Sequence, residues 1–380
     1  MNSCRRPEIL AYYFPNWHVD PRNEQWHGQG WTEWNVSKYA TPRFPGHHQP
    51  KVPLWGYEDE ADPAVMAKKI ETAASYGIDG FIFDWYFYAD GPYRNRCLEE
   101  GLLRAANLSK TKFAVMWCNH DAIQAHPGSR AFPSPVLCSG VVNAETFRNA
   151  IQHCIEHYFS SPSYLRVDGK LYFSIYNLAK MVNELGGESP ARALFDECRS
   201  RVRQAGLGEL HLNAVHVGYR YENNHPNSAQ LNASLAAVGL DSRSGHSWSW
   251  HSAPDCVCVD YGIAAEQNMR KYQRLTRDFN LPYNPVVLVG WDPSPRTVQS
   301  EIYANLGKYP FNSILSGSTP AQFEKNLREA RAFLKSDAFQ GNFLLLHSWN
   351  EWTEGTYLEP DEENRFGYLE AIRNVFGVSH

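Results

Sequence analysis

Phe343-Leu344-Leu345-Leu346-His347-Ser348-Trp349-Asn350-Glu351-Trp352-Thr353-Glu354-Gly355 runs from an apolar stretch of strand length straight into a polar cluster. Three successive leucines suit a strand buried on both faces, as in a parallel sheet covered by helices. Glu351 and Glu354, at i and i+3, cannot follow them into that interior, because an unpaired carboxylate in apolar surroundings is costly. The pair is therefore expected at the carboxyl end of the strand, at the mouth of a cleft.

Outward from this stretch, apolar runs alternate with helical patterns along the whole chain. Strands are predicted at Glu8–Phe14, Gly77–Trp85, Lys112–Asn119, Leu171–Tyr176, Leu210–Val217, Ala237–Asp241, Pro285–Asp292 and from Phe343. Asp62 caps a helix with Pro63 in its first turn, and further helices are predicted at Cys97–Asn107, Ala144–Phe159, Ala191–Gln204, Ser228–Ala236, Ile263–Arg277, Ala321–Phe333 and Phe366–Val375. Eight strands, each followed by a helix, predict an α/β fold of one (β/α)8 TIM barrel, with residues 1–380 as a single domain. No internal repeat or linker divides the chain. The segments Trp17–Tyr57, Asn119–Val142 and Ser242–Asp260 exceed ordinary connection lengths and are expected to be pocket walls at the carboxyl ends of the strands.

Composition narrows the function classes. The 380 residues are 43% hydrophobic and 20% charged, enough to bury a large core. A net charge of -5 supplies no basic field for nucleic acid or an anionic membrane, so neither partner is expected. No run has the length of a membrane span, and the charged start Met1-Asn2-Ser3-Cys4-Arg5-Arg6 lacks a secretory pattern, so a cytoplasmic location is expected. The 8 cysteines show no paired CxxC spacing and are expected to be free thiols. The surplus is aromatic, with 12 Trp, 21 Tyr and 19 Phe, the flat faces and polar tips on which sugar rings stack.

In a (β/α)8 barrel the active site lies at the carboxyl ends of the strands, and polar or aromatic residues recur there. The substrate-binding candidates are Tyr13 and the following loop's Trp34, His48 and Gln49; Asp84 and Trp85; Trp117, Asn119 and His120; Tyr176; His216; Trp291 and Asp292; and Trp349 with Asn350. His48 and Gln49 suit hydroxyl groups because each can donate and accept. For a single aromatic, core or rim packing is the competing reading, and for Asp84 and Asp292 a loop cap or ion pair. Glu351 and Glu354 are the catalytic candidates, since glycoside cleavage needs one carboxyl to protonate the leaving oxygen and another as base or nucleophile. Trp349 and Trp352 are placed to desolvate one acid and raise its pKa. His120, Asp121 and His216 lack regular ligand spacing, so no metal and no cofactor is expected. The Ser244-to-His251 segment is expected as a wall of the cleft.

The closing run Trp349-Asn350-Glu351-Trp352-Thr353-Glu354-Gly355-Thr356-Tyr357-Leu358-Glu359-Pro360 resembles that of WbsX-type proteins, which are related to the family 99 glycoside hydrolases. Gly30-Trp31-Thr32-Glu33-Trp34, Phe44-Pro45-Gly46-His47-His48-Gln49-Pro50, Tyr76-Gly77-Ile78-Asp79-Gly80-Phe81, Val167-Asp168-Gly169-Lys170 and Gly290-Trp291-Asp292-Pro293-Ser294-Pro295-Arg296 agree with it in the same order. The resemblance implies a barrel acting on a glycan, related to endo-α-mannosidases that retain configuration. It implies that Glu351 is a base for the sugar 2-hydroxyl, giving a 1,2-anhydro intermediate, and that Glu354 is the general acid/base. Mannose-like sugars, with an axial 2-hydroxyl, fit that route. Trp117-Cys118-Asn119-His120-Asp121 departs from the Ala-Asn-Glu-type segment common in the family, so a different sugar subsite is expected there. A glycosyltransferase of polysaccharide synthesis and a non-catalytic carbohydrate-binding barrel are the alternative readings.

Overall fold

The computed structural model describes residues 6–216, 228–250 and 256–377. Its frame is a ring of parallel strands: β1 (Glu8–Tyr13), β2 (Gly80–Tyr88), β3 (Lys112–Trp117), β4 (Lys170–Asn177), β5 (Leu210–His216), β6 (Ser242–Ser244), β7 (Tyr283–Asn284 and Val286–Leu288) and β8 (Phe343–His347). Neighbours pair in chain order, and β1 pairs with both β2 and β8, Glu8 opposite Phe343. Closure falls to β7. Its first half pairs with β6 and its second half with β8, the two halves meeting at Pro285, which has no N–H to give to the ladder.

The helices predicted after each strand are present with small shifts at their ends: Pro63–Ser75, Ala144–His157, Glu188–Gln204, Ser228–Val238, Tyr261–Asp278, Pro320–Leu334 and Gly367–Phe376. Asp62 caps the first as expected, accepting from Ala64 N at 2.8 Å. The predicted helix at Cys97–Asn107 is instead a π-turn at Cys97–Gly101 followed by a 3-10 turn at Leu102–Arg104. There Gly101 passes so close to Glu60 that a Cβ would stand 2.1 Å from its carbonyl oxygen.

The sixth strand is also displaced from its predicted place. Ala237 and Val238 complete the preceding helix, Gly239 ends it at φ +80, and the strand is the polar Ser242-Arg243-Ser244. Polarity is tolerated there because this side of the barrel interior is a hydrogen-bonded layer. Asn213 on β5 donates to Ser174 Oγ at 2.8 Å and accepts from Ser242 at 2.9 Å and Ser244 at 3.0 Å, while Asn284 donates to Ser244 and His211 bonds Ser242. The buried hydroxyls of Ser174, Ser242 and Ser244 thus find partners on neighbouring strands, which an apolar pattern cannot announce.

Asn213 is the hub of this layer. We expect Asn213→Ala, which takes one partner from each of three buried hydroxyls, to lower the unfolding free energy by about 1–3 kcal/mol. Urea denaturation followed by circular dichroism measures it, and an unchanged midpoint would show that the layer contributes nothing.

Candidate active site

Beyond β8 the chain turns back on itself. Asn350–Glu351 pairs with Thr356–Tyr357 across the 3-10 turn Trp352–Glu354. Ser348 Oγ receives Glu351 N at 2.9 Å and donates to the Thr356 carbonyl at 2.7 Å, which fixes the backbone under the first glutamate. Gly355 closes the turn at φ +62, and a Cβ there would stand 2.7 Å from that of Asp292. The residue must be glycine for the end of β7 to approach this closely.

This turn and the loop after β7 place Glu351, Glu354 and Arg296 together. Arg296 Nη2 donates to Glu351 at 2.5 Å and to Glu33 at 2.7 Å, Nη1 donates to Glu354 at 2.8 Å and to the Tyr309 hydroxyl, and Nε donates to Thr353 at 2.7 Å. Glu33 is completely enclosed. Its Oε1 takes Arg296 and Thr353, and its Oε2 takes Asn16, which is held by Asn23 and through it by Tyr93.

Burial alone would raise the Glu33 pKa, but Arg296, then His126 and Arg94, outweigh it and hold the carboxyl well below 4.5. The opposite balance holds at the pair. Burial raises Glu351 well above 4.5 against the pull of Arg296, with the charge of Glu354 adding to the rise, and burial likewise raises Glu354 against Arg296 and Tyr309. Glu351 is the deeper of the two, 4% exposed against 9%.

Glu351 and Glu354 face a cavity of about 360 Å³. Asp84, His120, Tyr176 and Trp291 line it as well, so these predicted residues share one cleft with the pair. Asp84 Oδ1 and His246 Nε2 face each other at 3.8 Å, each buried without a hydrogen-bond partner. His246, from the expected wall segment, packs against Tyr12, Tyr176 and His347. Phe14, Trp26, His27, Tyr86, Arg94, His126, Arg296 and Tyr309 also line it and were not among the predicted residues. Glu33 and Arg296 did lie in the quoted motif segments, and Tyr86 directly follows Trp85.

Several predicted residues do not reach this cavity. Along a barrel strand, side chains alternate between the interior and the helical layer. Tyr13 points outward onto Met66 and Phe83, Trp85 onto Asn95 and Tyr158, and Trp117 onto Phe147. Trp349 packs on Phe81 in the core, and Trp352 stacks on Tyr357 and donates to Glu359, so neither tryptophan walls the cleft. The acids are desolvated by the enclosure as a whole. Trp34 is wedged between Trp17 and Trp352.

Asn119 and Asn350 are ties rather than sugar contacts. Asn119 is bonded to the Asn177 backbone, and Asn350 bonds both backbone groups of Phe14 and the Glu60 carboxylate. Gln49 donates to Asp292 Oδ2 at 2.7 Å beside His47, also at 2.7 Å, a clasp that joins the loops after β1 and β7. Burial would raise Asp292, but its bond to His47 prevails and holds it low. His48 and Asp292 line a separate cavity of about 250 Å³, with Trp291 between the two. His216 closes β5 opposite Asn177; its side chain and Val217 lie outside the described residues. Among the described residues no group of three His, Cys, Asp or Glu could hold a metal, and no helix is long and apolar enough to cross a membrane.

Behind the cleft, Lys69 is ion-paired with Glu60 and, at 2.5 Å, with Glu359; the three are 1%, 0% and 4% exposed. Glu60 accepts from Asn350 and Glu359 from Trp352, so the two neighbours of Glu351 in sequence are both anchored to this buried triad.

A closed ring of eight parallel strands wrapped by helices is a (β/α)8 barrel. The fold is similar to that of the GH99 endo-alpha-mannosidase from Bacteroides thetaiotaomicron, with TM-score 0.56 and 16% identity over 97% of this chain and 96% of that one. It is also similar to a structure described as a glycoside hydrolase-like protein, with TM-score 0.59 and 16% identity over 100% of this chain and 96% of that one. At such identities the likeness is one of fold. The chain belongs to the family described as Glycosyltransferase WbsX, whose model matches residues 9–372. It is 27% identical to the uncharacterized protein WxcX of Xanthomonas campestris pv. campestris strain B100, over 97% of this chain and 49% of that protein, so it spans about half the length of the curated relatives it matches.

Two stability measurements check the buried charges. Lys69→Met leaves Glu60 and Glu359 facing each other without a cation, and we expect it to cost about 3–5 kcal/mol in urea denaturation. Glu33 has its pKa lowered on folding, so it stabilises the protein above pH 4.5 and loses that contribution as the pH falls below it. The decline in urea midpoint on acidification is expected to be shallower in Glu33→Gln, and an identical slope would show that Glu33 is not held low.

Proposed function

We propose that the protein is a glycosidase acting on an oligosaccharide or polysaccharide, with Glu351 as base and Glu354 as general acid/base. The observation that carries this reading is the pair itself: two carboxyls with raised pKa values, held by one guanidinium, on the wall of a cleft lined by Tyr86, Tyr176, Trp291 and Phe14. Burial favours the protonated form of the pair, and a cleavage reaction needs that proton for the departing oxygen.

In the proposed reaction Glu351 takes the proton of the sugar 2-hydroxyl and O2 attacks C1. The C1 to glycosidic oxygen bond breaks, and Glu354 protonates the leaving oxygen. Glu354 then takes a proton from water, the hydroxide opens the 1,2-anhydro ring at C1, and Glu351 returns its proton to O2. Two inversions at C1 retain the configuration. In the empty cleft burial favours the proton on the deeper Glu351, so these roles require it to pass to Glu354 when a sugar enters, as in a carboxyl pair that titrates as a unit.

The name of the family favours a second reading, in which the same cleft transfers a sugar to another sugar's hydroxyl instead of to water. The two differ in product, since a hydrolase releases reducing ends and a transferase does not.

Glu351→Gln and Glu354→Gln are each expected to lower turnover of a released-sugar assay by about 10²–10⁴-fold while the fold and glycan binding persist. Full turnover in both variants would reject the proposal. With the acid's pKa raised above 4.5, the reactive protonated form is lost as the pH climbs through that raised value, so kcat/KM is expected to fall on the alkaline side. A flat pH profile for cleavage would leave the pair without its acid.

A further inference from the structure

Arg94 and Arg296 are the two arginines on the wall of the cleft, and they differ in what surrounds them. Arg296 is bonded to three carboxylates. Arg94 has no ion pair and no carboxylate on its guanidinium among the described residues; its side chain shares a hydrogen bond with Tyr93, and its Nε is buried without a hydrogen-bond partner. A short strand, Gly91–Tyr93, folds back on the extended end of β2 and delivers it. Arg94 then takes φ +59, a left-handed conformation unfavourable for a side chain of its size, with its N–H donated to Asp20 Oδ2 at 3.0 Å. The guanidinium carbon sits 4.6 Å from the ring centre of Tyr93, 4.7 Å from Tyr86 and 5.0 Å from Phe14.

The carboxylates nearest to it are already engaged. Both oxygens of Glu33 are taken, Asp20 is spent on the N–H groups of Arg22 and Arg94, and Asp121 accepts from Gly140. Asp84 faces His246. With aromatic rings beside the guanidinium, the N–H donors at its edge are what it offers the cavity, and a planar carboxylate matches that fork with two parallel bonds. A neutral sugar in the cleft would cover the cation and bring no charge to its free donors, leaving Glu33 as its nearby counter-charge.

We propose that the cleft takes an acidic glycan, in which a sugar unit seated beside Glu351 and Glu354 carries a carboxylate, and that Arg94 binds that carboxylate. This rests on the glycan reading of the site and names the class of glycan. The charge that Arg94 contributes also offsets Glu33 until the ligand arrives.

The test compares two ligands that differ only at C6, methyl α-D-mannopyranosiduronate and methyl α-D-mannopyranoside, by calorimetric titration of the whole chain. The uronide is expected to bind about tenfold tighter or more, as a charge-assisted pair allows, and the ratio is expected to fall toward one in Arg94→Gln. Arg94→Lys keeps the charge and loses the fork; it is expected to retain part of the preference, and it carries the comparison if Arg94→Gln does not fold. Equal affinity for the two ligands, or a preference that survives in Arg94→Gln, overturns the inference. So does binding of guanosine diphosphate that disappears in Arg94→Gln, which would give the arginine to a nucleotide sugar. No turnover enters these measurements. A protein that prefers the neutral glycoside and still depends on Glu351 and Glu354 for cleavage fails here and keeps its glycosidase reading. Undiminished cleavage in both Glu variants rejects that reading instead.

Discussion

Arg296 donates to Glu33, Glu351 and Glu354 from a position only 7% exposed, and the charge state of the cleft follows from how those three share it. A buried guanidinium costs several kcal/mol of lost hydration unless every donor is satisfied, and here each nitrogen has an oxygen partner. Glu33, with both oxygens bonded, takes the full charge. Glu351 and Glu354 each receive one bond from the arginine, Glu354 with a second from Tyr309, and both line the cavity, which leaves them less stabilised as anions than Glu33. The same cation thus holds one carboxylate firmly ionised and leaves two able to keep a proton.

The surroundings of this cluster are stiff for a physical reason. The triad of Lys69, Glu60 and Glu359 is sealed inside the protein, where breaking any ion pair strands a charge, and it grips Asn350 and Trp352 on either side of Glu351. On the other side of the cleft, the clasp of His47 and Gln49 on Asp292 ties down the loop that carries Arg296. Glutamate and arginine are therefore set by two buried polar networks that meet at the guanidinium and where Asp292 N–H donates to the Glu354 carbonyl at 2.5 Å. Arg94 is held by its backbone, by aromatic rings and by its bond to Tyr93.

Much of the barrel was legible in the chain because strand and helix periods are local properties. The elements that escaped were those decided by partners. Ser242-Arg243-Ser244 forms a strand only because Asn213 and Asn284 supply hydrogen bonds to its hydroxyls, and Cys97–Arg104 is wound irregularly where Gly101 presses on the Glu60 carbonyl. The aromatic candidates at the strand ends were chosen by position and not by phase. Trp85 faces the helices while Asp84 and Tyr86 face the cleft, since one residue along a strand exchanges inside for outside.

The sequence by itself determined the order of eight strands and their helices and put Glu351 and Glu354 beyond the carboxyl end of the last strand, because apolar runs and their polar ends are written in adjacent residues. Only the tertiary structure decided which side chains meet there. Glu33 and Arg296 are 263 positions apart in the chain; Arg94 arrives from a further loop, after β2, and Tyr309 from later in the same loop as Arg296. No local pattern encodes such meetings, because they depend on where the closed barrel brings its loops together and on which buried charges need one another.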